Sequence, residues 1–217
     1  LEHADRCGGT LEGVAEHKAG IIKAGVPVVT AARGIPLEII RQKAEEKNTD
    51  VFVAGEDFRA EAKGFDMDKH VQNLSFTSAL LGISQESFDL RLLGTHQVEN
   101  ASLAIMTAAL LHNVEPKVTS DTIREGLKLV SWGARFEQIS FDGREIIVDG
   151  AHNPTGIKAL RESLDMYYPA QERVFLLGIL HDKDIEHMLE TLLRPNDTVV
   201  VTPPQSDRAE AVEELSK

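Results

Sequence analysis

The chain has 217 residues, of which 42% are hydrophobic and 27% charged, a balance typical of a folded globular protein. Its net charge is -12, so it lacks the basic surface that binding to nucleic acid or to an anionic membrane requires. The single cysteine excludes an intrachain disulfide and a zinc site built from several thiolates. No apolar run approaches the ~20 residues that span a bilayer, and residues 1–6 lack the apolar core of a signal peptide, so we expect a cytoplasmic protein.

The first part of the chain alternates predicted helices with short predicted strands. Between residues 10 and 23 the apolar residues recur at intervals of three and four, which predicts a helix, and Gly25 follows as a stop signal. Residues 55–75 are polar, and we expect a loop there with one or two weak strands. The other predicted elements are strand 26–30, helix 36–47, strand 51–54, strand 87–93, helix 98–112 and a helix that runs from a cap at Ser120 or Asp121 to residue 130.

The pattern breaks at residues 132–135, which we interpret as a domain boundary. Beyond it, Asp142-Gly143 between two strand patterns predicts a tight hairpin. The alternation of strands and helices predicts an α/β fold with a mostly parallel sheet covered by helices, divided into two domains, 1–131 and 132–217. The predicted elements of the second domain are strands 136–141 and 145–148, helix 155–168, strand 173–179, helix 184–193, strand 198–202 and helix 207–215.

The segment Asp149-Gly150-Ala151-His152-Asn153-Pro154 directly follows an apolar strand pattern. Asp149 is therefore expected at the carboxyl end of a strand, the edge where open α/β sheets bind ligands. A carboxylate there can hold ribose hydroxyls, and the start of the next helix favours anions. The alternative is that Asp149 and Asn153 only cap that helix.

Lys18 shares a helical stripe with Val14 and Ala15, which predicts a half-buried ammonium. Burial favours the neutral, reactive amine, and a neutral amine can add carbon dioxide to become a carbamate, a negatively charged metal ligand. The alternative is a lysine that extends its apolar stem and keeps its charge in water.

Two further polar segments lie where a strand pattern passes into a helix pattern. His96, Gln97 and Asn100 can line one side of the first turn of an alanine-rich helix, or His96 or Gln97 can simply cap it. Asp182-Lys183-Asp184 follows an apolar strand and is either part of a site or a solvated helix start.

Taken in order, these motifs resemble those of the folylpolyglutamate synthase and dihydrofolate synthase family of Mur ligases. The resemblance covers essentially the whole chain. It implies the remainder of a Mur-ligase-type central ATPase domain (1–131), followed by a smaller, mostly parallel Rossmann-like α/β domain (132–217) that stops early. The motifs that carry it are Gly9-Thr10-Leu11 with Val14-Ala15, residues 18–29, Gly94-x-His96-Gln97-x-x-Asn100-Ala101, Arg135-Phe136-Glu137, residues 149–154 and Asp182-Lys183-Asp184.

The resemblance also implies roles for individual residues. His3 matches a magnesium ligand, and Lys18 matches the lysine that the family carbamylates and uses to hold a second metal ion. Asn100, Arg135 and Asp149 match ATP contacts, with Arg135 neutralising phosphate charge and Asp149 holding the ribose. The remaining implied positions are His152, close to the reaction centre, and residues 182–184, near the active site.

The reaction implied by the resemblance is an ATP-dependent amide synthesis with Mg²⁺. ATP phosphorylates a folate or dihydropteroate carboxylate, and the amine of L-glutamate then attacks the acyl phosphate. All implied partners are small molecules, and we expect a monomer. Three positions depart from the family pattern: His17 replaces a glutamate, Ala134 replaces a glycine, and Cys7 stands where leucine is more usual.

The family also has a P-loop, and the chain contains no Gly-Lys-Ser or Gly-Lys-Thr. We therefore expect the carboxy-terminal part of a longer protein, inactive as it stands. Two other functions stay open at this point. One is another Mur-type ligase that joins an amino acid to a peptidoglycan precursor, and the other is a non-catalytic module that binds a nucleotide.

Overall fold

The structure, a computed structural model, describes residues 9–169, 172–207 and 210. The chain folds as two compact units. Of the described residues, the first unit contains those up to Asp66 together with Val71–Arg91 and Gln97–Val130, and the second contains Met67–His70, Leu92–His96 and those from Ser131 onward. The predicted α/β class is confirmed. His3, Cys7 and most of the predicted helix 207–215 lie outside the described residues.

The first unit combines a small parallel sheet, an antiparallel sheet and four helices among its described residues. Strands β1 and β2 pair in parallel, whereas β3, β4 and β5 form a three-stranded antiparallel sheet with β4 in the middle. The elements in chain order are α1 (Leu11–Ala19), β1 (Val28–Thr30), α2 (Ile35–Glu46), β2 (Val51–Val53), β3 (Arg59–Asp66), β4 (Val71–Ser78), β5 (Ile83–Leu90), α3 (Thr95–Leu111) and α4 (Ser120–Leu129).

Helix α1 forms where the apolar spacing predicts it, although it ends earlier than predicted. The Thr10 hydroxyl accepts a hydrogen bond from the Gly13 amide at 3.0 Å and caps the helix, and Val14, Ala15 and Ala19 are buried. The helix ends at Ala19, with Gly20 as its C-cap, rather than at residue 23.

The predicted weak strands in residues 55–75 are two full strands of eight residues each, β3 and β4. In β3 most side chains are exposed and the pairing shifts register between Ala62 and Gly64, so neither face has a clear apolar pattern. In β4 the buried positions include Gln72 and Ser75 beside apolar residues. Neither strand therefore shows the alternation of apolar and polar residues by which a strand is predicted.

The antiparallel sheet carries an aromatic core. The rings of Phe58 and Phe76 lie 6.1 Å apart, and Phe76 and Phe88 meet edge to face at 6.5 Å. The Arg124 guanidinium lies 5.0 Å from the Phe88 ring centroid and bonds Glu86 at 2.6 Å, which ties α4 to β5.

The cap of α4 lies one residue before the predicted position. Thr119, and not Ser120 or Asp121, accepts a hydrogen bond from the Thr122 amide, and the Thr122 hydroxyl accepts one from the Thr119 amide at 2.8 Å. This reciprocal arrangement is a capping box, with a threonine in place of the usual glutamate.

The second unit contains one antiparallel hairpin, one parallel pair and two helices among its described elements. Asp142 and Gly143 both have positive φ, 50° and 71°, as a two-residue hairpin turn requires, so the predicted hairpin is confirmed. The elements are β6 (Glu137–Phe141), β7 (Arg144–Val148), α5 (Pro154–Tyr167), β8 (Val174–Leu177), α6 (Ile185–Leu192) and β9 (Thr198–Val201), with β8 and β9 parallel.

The core of the second unit gathers buried residues from its helices and from the segments before β6 and α3. Phe136 is 2% exposed and lies 5.5 Å from the Tyr167 ring. Because Phe136 immediately precedes β6, this burial fixes the chain directly after the domain boundary predicted at residues 132–135. The cluster consists of Leu93, Phe136, Ile157, Leu164, Tyr167, Tyr168, Met188 and Leu192.

Within the described residues, no helix combines the length and apolar character needed to cross a bilayer.

Candidate nucleotide site

Two turns of the second unit, residues 134–136 and residues 149–152, lie against each other and are called here the paired turns. Asp149 follows β7 directly. One of its carboxylate oxygens accepts a hydrogen bond from the Phe136 amide at 2.8 Å, and the other accepts one from the Ala151 amide at 2.8 Å. The Gly150 amide donates to the Ala134 carbonyl at 2.9 Å. Asp149 therefore joins the two turns and does not cap the next helix.

The first of the paired turns holds two non-glycine residues in left-handed backbone conformations. Ala134 has φ 54° and Phe136 has φ 49°. Each such residue costs roughly 1–2 kcal/mol. Burial of Phe136 and a hydrogen bond from the Ala134 amide to a Glu137 carboxylate oxygen at 2.8 Å hold the strained turn. The positive φ gives a physical reason why glycine suits position 134.

Arg135 lies across Gly150. A Cβ atom placed on Gly150 would lie 3.1 Å from the Arg135 Nη1 atom and 3.4 Å from the Ala134 carbonyl oxygen, so a larger residue there would push the end of the guanidinium aside by a few tenths of an ångström. Arg135 is exposed and donates to the Ala134 carbonyl at 3.4 Å. Among the described residues no carboxylate forms an ion pair with it, so its charge remains available to an anion from solution.

His152 and Asn153 complete the second of the paired turns. His152 is exposed, and its Nδ1 atom lies 2.8 Å from the Gly150 carbonyl oxygen. Asn153 caps α5, since its side chain accepts a hydrogen bond from the Gly156 amide at 2.7 Å. The capping alternative therefore holds for Asn153, and the imidazole of His152 stays at the surface beside the start of the helix.

His96, at the start of α3, belongs to the second unit and faces the charges of the paired turns. Desolvation of the imidazole is the largest effect and lowers the pKa of His96. The charge of Arg135 also lowers this pKa, whereas the carboxylates of Asp149 and Glu162 raise it. A Cβ atom placed on Gly94 would lie 2.7 Å from the His96 Cε1 atom. The ring therefore rests on Gly94, and the Gly94 amide donates to the Tyr167 hydroxyl at 2.9 Å.

In the first unit, the half-buried position predicted for Lys18 is wrong. Lys18 is exposed in the last turn of α1, because the buried stripe runs through Val14, Ala15 and Ala19 and excludes it. Asn100 is also exposed, and its amide donates to the buried Gln97 side chain at 3.1 Å. The carbamate role of Lys18 and the ATP contact of Asn100 stay predictions.

Among the described residues, the remaining predicted site residues do not form a metal centre. His3 lies outside the described residues, and the described histidine and acidic side chains form no group of three that could hold a metal ion. Asp182 and Lys183 lie between β8 and α6, with their charged atoms 3.9 Å apart, and Asp184 is the N-cap residue of α6.

Sequence reasoning gave no role to Gly94, Glu137 or Tyr167, although all three support the paired turns or their neighbour His96. Gly94 and Glu137 belong to two of the motifs that carry the family resemblance, so the sequence did contain a signal for them. Tyr167 had none, because its contact with Gly94 joins residues 73 positions apart in the chain.

Comparison with known proteins identifies relatives along nearly the whole chain. A family model described as the Mur ligase middle domain matches residues 1–108, and one described as the Mur ligase glutamate ligase domain matches residues 134–217. Folylpolyglutamate synthase from Lacticaseibacillus casei is 34% identical over 96% of this chain and 48% of its own length. Dihydrofolate synthase/folylpolyglutamate synthase from Bacillus subtilis is 28% identical over 88% of this chain and 44% of its own length.

Solved structures of folylpolyglutamate synthases are similar to the fold of this chain. Folylpolyglutamate synthase from Thermotoga maritima superposes with a TM-score of 0.79 at 32% identity, covering 95% of this chain and 47% of that one. The Mycobacterium tuberculosis folylpolyglutamate synthase complexed with ADP gives 0.78 at 27% identity, covering 95% and 46%. The chain thus spans about half the length of these relatives. It belongs to the folylpolyglutamate synthase and dihydrofolate synthase family of Mur ligases.

Proposed function

We propose that the whole protein is an ATP-dependent ligase that joins L-glutamate to the carboxylate of a folate or dihydropteroate, and that the paired turns bind the nucleotide. The observation that carries this proposal is that the paired turns bring the exposed Arg135 guanidinium against Gly150, the residue that follows the hydrogen-bonded carboxylate of Asp149. The complex of the Mycobacterium tuberculosis relative with ADP supports a nucleotide as the ligand.

Asp149 has the capacity for a ribose contact in addition to its structural bonds. A carboxylate offers about four acceptor positions, and the Phe136 and Ala151 amides occupy one on each oxygen. The other positions can accept from the vicinal hydroxyls of a ribose. Because the two amides hold the carboxylate in place before the ligand arrives, little orientation entropy is lost on binding.

Arg135 supplies positive charge for the phosphates. It needs no rearrangement to do so, since it has no carboxylate partner among the described residues and only a 3.4 Å bond to a carbonyl. In the proposed reaction the γ-phosphoryl group passes to the folate carboxylate, and ADP leaves. The glutamate amine then attacks the acyl carbon, expels phosphate and forms the amide. Charge stabilisation by a fixed cation is the main help a protein gives to such a transfer.

The other site residues enter as parts of the same proposal. Asn100 is assigned to an ATP contact and His152 to the neighbourhood of the reacting groups, and both are exposed as these roles require. Lys18, as a carbamate, and His3 are assigned to a metal ion that also needs ligands from elsewhere in the protein. We further propose that residues 1–131 are the carboxy-terminal part of the ATP-binding domain and that residues 132–217 form the Mur-ligase carboxy-terminal domain.

The test is phosphate release with MgATP, L-glutamate and either dihydropteroate or tetrahydrofolate. It is run on this chain and on a chimera in which the chain replaces the matching half of the Lacticaseibacillus casei relative. We expect activity in the chimera that requires both glutamate and one of the two acceptors, and Asp149→Ala in the chimera should raise the ATP requirement more than the folate requirement. Phosphate release that ignores glutamate would contradict the ligase proposal.

A second function is favoured by one observation: the chain contains no P-loop sequence. This second candidate is a nucleotide-binding module without turnover. Retained ADP binding by the chain, together with no phosphate release from either the chain or the chimera, would favour this module over the ligase.

A further inference from the structure

The carboxylate of Glu137 holds the backbone of the first of the paired turns. The Ala134 amide donates to a Glu137 carboxylate oxygen at 2.8 Å, and the Ala134 carbonyl accepts from the Gly150 amide at 2.9 Å. These two bonds fix the peptide groups before and after Ala134, whose φ of 54° is strained for alanine. Glu137 therefore helps to keep a backbone conformation that an alanine alone does not favour.

The side chain of Arg135 depends on that conformation. Arg135 lies between two residues with positive φ, Ala134 and Phe136, so the turn sets the direction in which its side chain leaves the backbone. The Arg135 Nη1 atom lies 3.4 Å from the Ala134 carbonyl oxygen and would lie 3.1 Å from a Cβ atom on Gly150. A change of backbone conformation at Ala134 would therefore move the guanidinium away from Gly150.

The other end of the same turn is anchored independently of Glu137. Phe136 is buried, and its ring centroid lies 5.5 Å from that of Tyr167 and 6.3 Å from that of Tyr168. The Phe136 amide donates to the Asp149 carboxylate at 2.8 Å. Because the ring is packed in the core, we expect this bond, and with it the ribose contact proposed for Asp149, to survive the loss of the Glu137 carboxylate.

We propose that Glu137 is a positioning residue for the nucleotide phosphates: through the Ala134 amide, its carboxylate keeps the Arg135 guanidinium against Gly150. The inference rests on the proposed function, since it needs a nucleotide at the paired turns. A direct effect of the Glu137 charge has the opposite sign, because a carboxylate near phosphates repels them and its removal should tighten binding. The direction in which ADP affinity changes therefore separates positioning from simple repulsion.

Two substitutions of Glu137 remove the same charge but differ in the hydrogen bond. Glu137→Gln keeps a side-chain oxygen that can accept from the Ala134 amide, whereas Glu137→Ala removes the acceptor. A hydrogen bond to a charged group shifts an equilibrium by about tenfold or more, and the fraction of molecules that leaves the turn lowers the apparent affinity in proportion. We expect ADP affinity to fall about three- to tenfold in Glu137→Ala and to stay within about twofold of wild type in Glu137→Gln.

The experiment measures the affinities for ADP and for adenosine by NMR titration of the wild-type chain, the two Glu137 variants and the control Glu190→Ala. Glu190 is exposed on α6 of the same unit, and its loss changes the net charge by the same amount. The dispersion of the amide signals shows that each variant is folded. We expect every protein to have the wild-type affinity for adenosine, which lacks phosphates, and Glu190→Ala to have the wild-type affinity for ADP.

A double substitution tests the link between Glu137 and the strained turn. Glycine adopts a φ of 54° without strain, so Ala134→Gly reduces the need for the Glu137 carboxylate. The loss of ADP affinity caused by Glu137→Ala should therefore be smaller in the Ala134→Gly background, by about twofold or more. An equal loss in both backgrounds would contradict positioning through Ala134.

The ligand comparison also has results that overturn the role of Glu137. Tighter ADP binding in both Glu137 variants is what repulsion alone predicts, and it would overturn the positioning role while leaving the proposed function intact. A loss of adenosine affinity as large as the loss of ADP affinity in Glu137→Ala would do the same. A failure of the wild type to bind ADP would overturn nucleotide binding by the chain, and the role of Glu137 with it.

Discussion

Ala134→Gly is expected to stabilise the protein, against the usual effect of introducing glycine. Ala134 has φ 54°, a conformation that costs an alanine roughly 1–2 kcal/mol relative to glycine. Glycine loses about 0.5–1 kcal/mol through the greater freedom of the unfolded chain. The half-buried methyl group of Ala134 is worth roughly 0.4 kcal/mol. The balance is a gain of about 0.5 kcal/mol in the free energy of unfolding.

The matched control is Ala159→Gly in the interior of α5. Ala159 is also half-buried and belongs to the same unit, but it has ordinary helical geometry, so glycine there should cost about 1 kcal/mol. Urea unfolding followed by circular dichroism, with linear extrapolation to water, gives both values. The two substitutions should therefore change the unfolding free energy in opposite directions. A loss of stability in Ala134→Gly equal to that in Ala159→Gly would refute the strain attributed to the turn.

Three further changes test other parts of the structure. Tyr167→Phe removes the acceptor of the Gly94 amide and should cost about 1–2 kcal/mol of unfolding free energy, measured in urea against wild type. The hydrogen bond from Arg161 is the largest cause that lowers the pKa of Asp165, so the stability that this pair contributes above pH 3.8 should be lost as the pH falls through the lower pKa of the folded state. The loss of stability in acid should therefore be less steep in Asp165→Asn than in the wild type. An equal slope would show that the pair does not stabilise the folded state. Lys18→Ala in the active chimera should abolish most turnover yet leave the thermal midpoint within about 2 °C, because the side chain is exposed; near-normal turnover would remove the carbamate role.

The sequence predicted those elements whose signal is local. The apolar spacing of α1 and the Asp142-Gly143 turn each depend on a few neighbouring residues, and the structure has both. The strands β3 and β4 were underestimated because β3 exposes both faces and β4 buries polar residues such as Gln72. Residue type alone cannot show that a glutamine lies inside a sheet.

At the candidate site, too, the sequence predicted local features and missed the contacts between distant residues. Sequence order placed Asp149 after a strand and Arg135 before one, but it could not show that the Asp149 carboxylate bonds the Phe136 amide across 13 residues. It also placed Lys18 on a buried stripe, because a position three or four residues from buried ones can still lie at the edge of the stripe, and Lys18 does. Contacts between distant residues and the exact limits of a buried face depend on packing, which a single sequence does not contain.

The proposed function depends on nucleotide binding by the paired turns. The most direct test follows the backbone amide signals of the chain by NMR while ADP is added, with Asp149→Ala as the variant. We predict that the largest shifts fall on residues 134–136 and 149–152, and that they weaken in the variant. Saturable shifts confined to other residues, or no shifts at millimolar ADP, would contradict the claim.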